Sequence, residues 1–174
     1  MNKERYLAAV GYFSDNQNAY RFLWFIYKVL PNVLFIAYPI LLVTEFFIMG
    51  VNMEWANLAI MPFFVLITVS VLRLAINEQR PYEKYGTDSV FHKKTVGKSM
   101  PSRHTASAYI LAMTFLAVNI PLGIIALVIA TLIAASRILA GAHFIRDVLV
   151  GAAFGIGFGL LYFSETPLWT MFSL

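Results

Sequence analysis

An all-α bundle of membrane-crossing helices is the fold this sequence predicts, and three observations carry the prediction. Of its 174 residues, 60% are hydrophobic and only 13% charged, where an ordinary soluble domain carries about a quarter charged. Long uncharged runs recur, as at residues 120–135 and 148–163, and a membrane span needs about 20 predominantly apolar residues. Between those two runs lies S-R-I-L-A-G-A-H-F-I-R-D, residues 136–147, which carries Arg137, His143, Arg146 and Asp147. Ionisable groups at a membrane boundary cost desolvation energy that a bound partner must offset, so this segment is a candidate functional site. Cysteine is absent, which excludes disulfides, thiolate metal sites and cysteine nucleophiles.

Taken in order, the chain reads as a single domain, residues 1–174. The opening M-N-K-E-R shows no cleavable signal. Residues 1–30 mix aromatics with Lys and Arg and are interrupted by the polar stretch 14–18. Neither half is long enough to span, so the expectation is an amphipathic interfacial arm with Trp24 and Tyr27 at headgroup depth. A transmembrane bundle then covers residues 32–163. Its first span runs from about 32 to 49; Pro31 suits the first turn and Pro39 should kink the helix. Glu45 reads as a carboxylate near the far interface. After a turn at 50–57, the second span covers about 58–76. Residues 77–100 form the one long polar connection, read as a catalytic loop, with His92 as a solvated residue among lysines. The third span runs from Pro101 to about residue 119, with Ser102 as N-cap. The fourth covers about 121–136 and the fifth about 144–163. Gly151, Gly155 and Gly159 stand four apart on the fifth span and predict close helix packing inside the chain. Trp169 and a short tail close the sequence.

Five spans with strict alternation bring the end of the second, the start of the third, the end of the fourth and the start of the fifth to one membrane face. Arg73, Arg80, Ser102, Arg103, His104, Arg137, His143 and Asp147 therefore meet there. Arginine suits a phosphate-like dianion because its planar fork donates in pairs and keeps its charge. A helix N-terminus beginning at Ser102 offers free N–H groups to the same anion. His143 and Asp147 are four apart and share a helix face. A carboxylate on one imidazole nitrogen leaves the other as nucleophile or base, although such a pair also caps helix starts. One histidine can attack phosphorus while the second protonates the leaving oxygen. No H-E-x-x-H motif or carboxylate cluster is present, and four guanidinium groups would repel a divalent cation, so no metal or other cofactor is expected. Singly, Arg73 could snorkel and Ser102 could only cap a helix; the joint arrival on one face favours a site.

Three segments together resemble the signature of the type 2 phosphatidic acid phosphatase superfamily, which also includes vanadium haloperoxidases. Its first motif, Lys then six residues then Arg-Pro, corresponds to Arg73 and Arg80-Pro81. Its second, Pro-Ser-Gly-His, corresponds to Pro101-Ser102-Arg103-His104. Its third, Ser-Arg, five residues, His, three residues, Asp, is matched by Ser136, Arg137, His143 and Asp147. The resemblance implies a metal-free phosphatase working through a phosphohistidine. It makes His143 the nucleophile, Asp147 its orienting partner and His104 the general acid, with Arg73, Arg80, Ser102, Arg103 and Arg137 binding phosphate. Two positions depart from the pattern: Arg73 stands for Lys, and Arg103 for a glycine. The family's usual first span is replaced by the amphipathic arm.

The expected activity is hydrolysis of a phosphomonoester or pyrophosphate on a membrane lipid, such as phosphatidate, phosphatidylglycerol phosphate or a polyprenyl pyrophosphate. The alternatives are a lipid phosphotransferase using the same phosphohistidine and a non-enzymatic lipid or anion carrier. The expected partners are that lipid and the bilayer, in a monomer or homodimer. Nucleic acid is not among them, because the basic residues flank spans instead of forming a soluble basic domain. The expected location is the cell membrane, with multiple passes. All 13 Lys and Arg fall on the catalytic face of the five-span reading, which indicates a cytoplasmic site. The family resemblance indicates an extracytoplasmic one.

Overall fold

The computed structural model describes residues 3–163, so Trp169 and the tail lie outside the described residues. Among the described residues eight α-helices follow one another: α1 Lys3–Asp15, α2 Gln17–Trp24, α3 Leu30–Met49, α4 Met53–Ile76, α5 Pro81–Tyr85, α6 Arg103–Val118, α7 Ile120–Leu139 and α8 Ile145–Phe163. Among the described residues no strand occurs, and the architecture is the all-helical bundle the composition predicts.

Among the described residues, three stretches are long and apolar enough to cross a membrane: Gln17–Met49, Met53–Tyr85 and Ile120–Leu139. The other two expected spans, α6 and α8, have 16 and 19 residues. At 1.5 Å per residue, α6 is about 24 Å long, short of a bilayer core of about 30 Å. It tolerates this because it is surrounded by protein: ten of its residues are buried, and it packs against α3, α4, α7 and α8. The non-helical backbone that precedes it is likewise enclosed, with Ser99, Pro101 and Ser102 all buried, the condition under which irregular backbone persists at membrane depth.

The N-terminal region departs from the expected arm in two respects. The polar stretch at 14–18 does divide it, with Asn16 capping α2 by accepting from the backbone of Asn18 and Ala19. The boundary expected near residue 30, however, is not a break. The helix continues from α2 through a π turn, Phe25–Val29, into α3, because Pro31 disturbs the hydrogen-bond ladder without ending the helix. Tyr27 is also not exposed at the surface. It is buried, with Leu23, Ile26, Val90, Ala140 and Ala142, in a cluster that joins the π turn to the long loop and the α7–α8 turn. Trp24 remains exposed.

α1 is docked on the same end of the bundle. Tyr6 is fully buried, and its hydroxyl donates to the carbonyl of Asp88 at 3.1 Å. Its ring lies against Gly141, where φ is +69° and an added Cβ would stand 2.7 Å from a ring carbon. Glycine is the residue that supplies both this left-handed backbone and the clearance. At the far end the turn is shorter than expected: Asn52 accepts from the Trp55 backbone, and α4 begins at Met53. The indole of Trp55 donates to the carbonyl of Leu42 at 2.9 Å, and Tyr38 donates to Leu58 and Ala59, tying α3 to α4.

The glycines on α8 face α6. A Cβ at Gly151 would approach the carbonyl oxygen of Ser102 to 2.6 Å, one at Gly155 that of Ala106 to 2.6 Å, and one at Gly159 the Met113 Cβ to 2.5 Å. The stripe therefore serves contact within the chain. Gly155→Val should lower the thermal midpoint in detergent by the equivalent of about 1–3 kcal/mol, as overpacking against main chain does. Gly157→Ala, where an added Cβ meets nothing within 4 Å, should leave the midpoint unchanged or raise it slightly.

Candidate active site

The turn between α7 and α8 holds His143. The main chain after Leu139 folds back on itself, with the N–H groups of Ala142 and His143 both donating to the Arg137 carbonyl, at 3.0 and 3.2 Å. This places the imidazole, only 3% exposed, against the first turn of α8. Its Nδ1 lies 3.5 Å from Asp147 Oδ2, at the outer limit of a hydrogen bond. That contact commits Nδ1 to the carboxylate and leaves Nε2 available. Asp147 Oδ2 also accepts from the Phe144 N–H at 2.9 Å, so the residue caps the helix and holds the histidine at once. Burial pushes the His143 imidazole down to about 4, against the opposing pull of Asp147 and with Arg80 and Arg73 acting in the same direction as burial. The ring is therefore neutral at physiological pH, the form that retains a free lone pair.

A residue the motif reading passed over completes this arrangement. Ser99 is fully buried and donates to Asp147 Oδ2 at 2.5 Å, while its Oγ stands 3.5 Å from His143 Nδ1. Asp147 thus receives three contacts on one oxygen, which fixes the position of that oxygen. A serine in a polar loop carries no signal of its own; only its place two residues before Pro101 could have drawn attention to it.

Ser102 begins α6 as expected, but its side chain makes no capping hydrogen bond. Its Oγ accepts from Thr105 Oγ1 at 3.0 Å, and its N–H donates to the Asp147 carbonyl at 2.8 Å. The start of α6 is thereby fastened to the start of α8, with no side-chain cap on the first helical N–H groups.

The arginines are held by main-chain oxygens. Arg73 Nη2 donates to the Lys98 carbonyl at 2.5 Å. Arg80 is 6% exposed; its Nε donates to Gly97 at 3.1 Å and its Nη1 to Ala142 at 3.3 Å. Arg137 Nη2 donates to the Tyr27 carbonyl at 3.0 Å, and its Nε has no partner among the described groups. Carbonyl oxygens orient a guanidinium without neutralising it, so several positive charges remain uncompensated by carboxylates at this end of the bundle. Glu83 fixes the loop behind them, accepting from the N–H groups of Arg80 and Gly97. Lys93 adds a further cation that the sequence reading assigned only to the loop: it lies within electrostatic range of His104 and 5.8 Å from the Tyr27 ring centroid. Outside this group, Arg146 pairs with Glu78. His92 is exposed beside Asp88, as a solvated residue should be.

Arg103 and His104 differ from the rest in facing an apolar groove of about 680 Å³ between α3, α4 and α6. Its walls include Leu34, Phe35, Leu66, Ile67 and Leu74. His104 belongs to both regions, lining the groove and lying within electrostatic range of Arg137 and His143. Arg73 lies similarly near Arg80, Arg103 and Asp147. All eight residues singled out from the sequence are thus brought to one end of the bundle. Among the described residues, no three His, Asp or Glu side chains converge as a metal site requires.

The PAP2 superfamily model matches residues 54–170. A comparison with curated proteins finds no match. Among solved structures, the chain resembles a transmembrane PAP2-type phosphatidylglycerolphosphate phosphatase from Bacillus subtilis, at a TM-score of 0.65 and 23% identity. The likeness covers 92% of this chain and 83% of that one, and at that identity it speaks to the fold.

Ser99→Ala should separate positioning from binding. Removing one of three contacts on Asp147 is expected to lower kcat for phosphate release about ten-fold, the scale of a lost hydrogen bond to a charged group, with KM nearly unchanged. Steady-state kinetics on the purified protein measure both.

Proposed function

Because this chain belongs to the PAP2 superfamily, we propose that it hydrolyses a phosphomonoester or pyrophosphate carried on a membrane lipid, through a phosphohistidine and without a metal. The observation that carries the lipid part of the reading is the groove: an apolar trough opens along α3 and α4 and ends at Arg103 and His104, so an acyl or isoprenyl chain can lie in it while its phosphate reaches the arginines.

The proposed reaction has two displacements. His143 Nε2 attacks phosphorus, forming an N–P bond as the P–O bond to the lipid breaks. His104, on the groove side of the site, takes up the proton brought by the phosphate monoanion and donates it to the departing lipid oxygen. Arg73, Arg80 and Arg137, with the first N–H groups of α6, stabilise charge on the equatorial oxygens. A water then attacks the phosphohistidine, giving its proton to the deprotonated His104 and releasing orthophosphate and neutral His143. Asp147 keeps Nδ1–H directed and stabilises the charge that the ring acquires. Arg103, in place of the family's glycine, stands beside His104 on the groove, suited to a second anionic group next to the scissile phosphate. Phosphatidylglycerol phosphate, the substrate in the structural neighbour's name, and a polyprenyl pyrophosphate both carry such a group; phosphatidate does not.

Phosphate release from a panel of phosphatidate, phosphatidylglycerol phosphate and undecaprenyl pyrophosphate, in the presence of EDTA, tests the reading. The wild-type protein should release orthophosphate, and His143→Ala should abolish release while leaving the protein folded. His104→Ala should slow lipid substrates far more than p-nitrophenyl phosphate, whose leaving group needs little protonation. Phosphate appearing on an added lipid alcohol, in place of free orthophosphate, would support the phosphotransferase; binding without turnover would support the carrier. Release that survives His143→Ala would overturn the phosphohistidine.

For the orientation we favour the cytoplasmic face, since Lys and Arg collect on the site's side and the turns opposite carry none. The cysteine-free chain gives a clean test with single substitutions Lys93→Cys and Val51→Cys and a membrane-impermeant maleimide on intact cells. Labelling at 51 but not at 93 is the expected result. The reverse would restore the extracytoplasmic orientation that the family suggests.

A further inference from the structure

The guanidinium of Arg137 is gripped by a residue 110 positions away in the sequence, in a segment outside all three motifs. Pro31 has no N–H, so the carbonyl of Tyr27, four residues earlier, lacks its ordinary helical donor. An unpaired carbonyl in a buried or lipid-covered helix is costly, and such groups find another partner. Here the partner is Arg137 Nη2, at 3.0 Å. The same residue supplies a second contact: the Arg137 guanidinium carbon lies 3.9 Å from the centroid of the Tyr27 ring, inside the range of a cation–π interaction. Tyr27 and Arg137 are 4% and 2% exposed, so both contacts are desolvated. The ring is itself fixed against Phe91 of the long loop, 4.6 Å between centroids.

We propose that Pro31 and Tyr27 form a holder for Arg137. The proline frees one carbonyl, and that carbonyl and the aromatic face together set the orientation of the guanidinium, leaving its Nε for the phosphate. Tyr27 is then a positioning residue, acting through Arg137 without touching substrate. This inference rests on the reading that Arg137 binds the phosphoryl group.

Two substitutions remove the two contacts separately. Pro31→Ala supplies an N–H that competes for the Tyr27 carbonyl and leaves the ring in place. Tyr27→Leu removes the ring and keeps the carbonyl. Because Pro31 also lines the lipid groove, the probe should lack a tail: p-nitrophenyl phosphate as substrate, with orthophosphate as competitive inhibitor. Arg137→Ala serves as the control, and circular dichroism melts in detergent accompany each variant. The expected result is about ten-fold weaker orthophosphate inhibition and higher KM in both variants, the scale of a lost hydrogen bond to a charged group. Pro31→Ala should at the same time melt no lower than wild type, since alanine is the better helix residue. A merely structural role would move the melting temperature and leave the inhibition constant alone. If Pro31→Ala keeps wild-type orthophosphate inhibition while Arg137→Ala loses it, the holder is wrong. If Arg137→Ala also keeps it, the phosphate-binding role of Arg137 fails first.

Discussion

Burying several like charges beside a membrane is the constraint on which the rest of this molecule depends. Arg73 and Arg80 repel one another, and these two and Arg137 each lose hydration by entering the bundle. The protein does not neutralise them with carboxylates, which would leave little field for an anion. It gives them main-chain carbonyls: Lys98 for Arg73, Gly97 and Ala142 for Arg80, Tyr27 for Arg137. A carbonyl dipole fixes direction and offsets part of the desolvation cost, but it leaves the net charge in place. The remaining deficit has the sign of a phosphoryl group, and preorganised donors of this kind need no rearrangement when charge develops in a transition state.

Carbonyls become available only where the backbone is irregular, and the fold supplies irregularity where the arginines need it. The loop of residues 77–100, the turn between α7 and α8, and the π turn before Pro31 are three such places. Each would be unfavourable in contact with lipid. The helices around them provide the enclosure, above all the close pairing of α6 with α8 that the glycine stripe allows. That pairing also carries the Ser102 N–H to the Asp147 carbonyl, so packing between the two helices and alignment of the site are one event. The shortness of α6 belongs to the same solution, since a helix buried by its neighbours has no bilayer thickness to match.

Much of this could be read from the residues alone, for identifiable reasons. Apolar runs, prolines and glycines placed α4, α6, α7 and α8 to within about five residues but left the short α5 inside the polar connection unread, and alternation of spans brought the motif residues to one end. What could not be read were contacts in which one partner is a backbone atom or a side chain of common type. Tyr27 looked like an interfacial aromatic because its composition is that of one; its ring and carbonyl gain their role only when α7 arrives beside the π turn. Ser99 is one serine among several in the loop until Asp147 is set against it. The helical continuity of residues 17–49 was hidden by Pro31, which breaks a helix in most settings but here only shifts its register.

The docking of Tyr6 on Gly141 has a consequence for the order in which the protein can be completed. The two residues are 135 positions apart, so α1 has no seat until α7 and the turn after it have been made. Until then the ribosome-bound chain carries α1 and the π turn on one side with nothing to close over. The turn that carries His143 and the seat of the N-terminal helix are therefore finished together and late, and a chain halted before residue 141 retains several helices of the bundle and the arginines of the site but neither His143 nor Asp147.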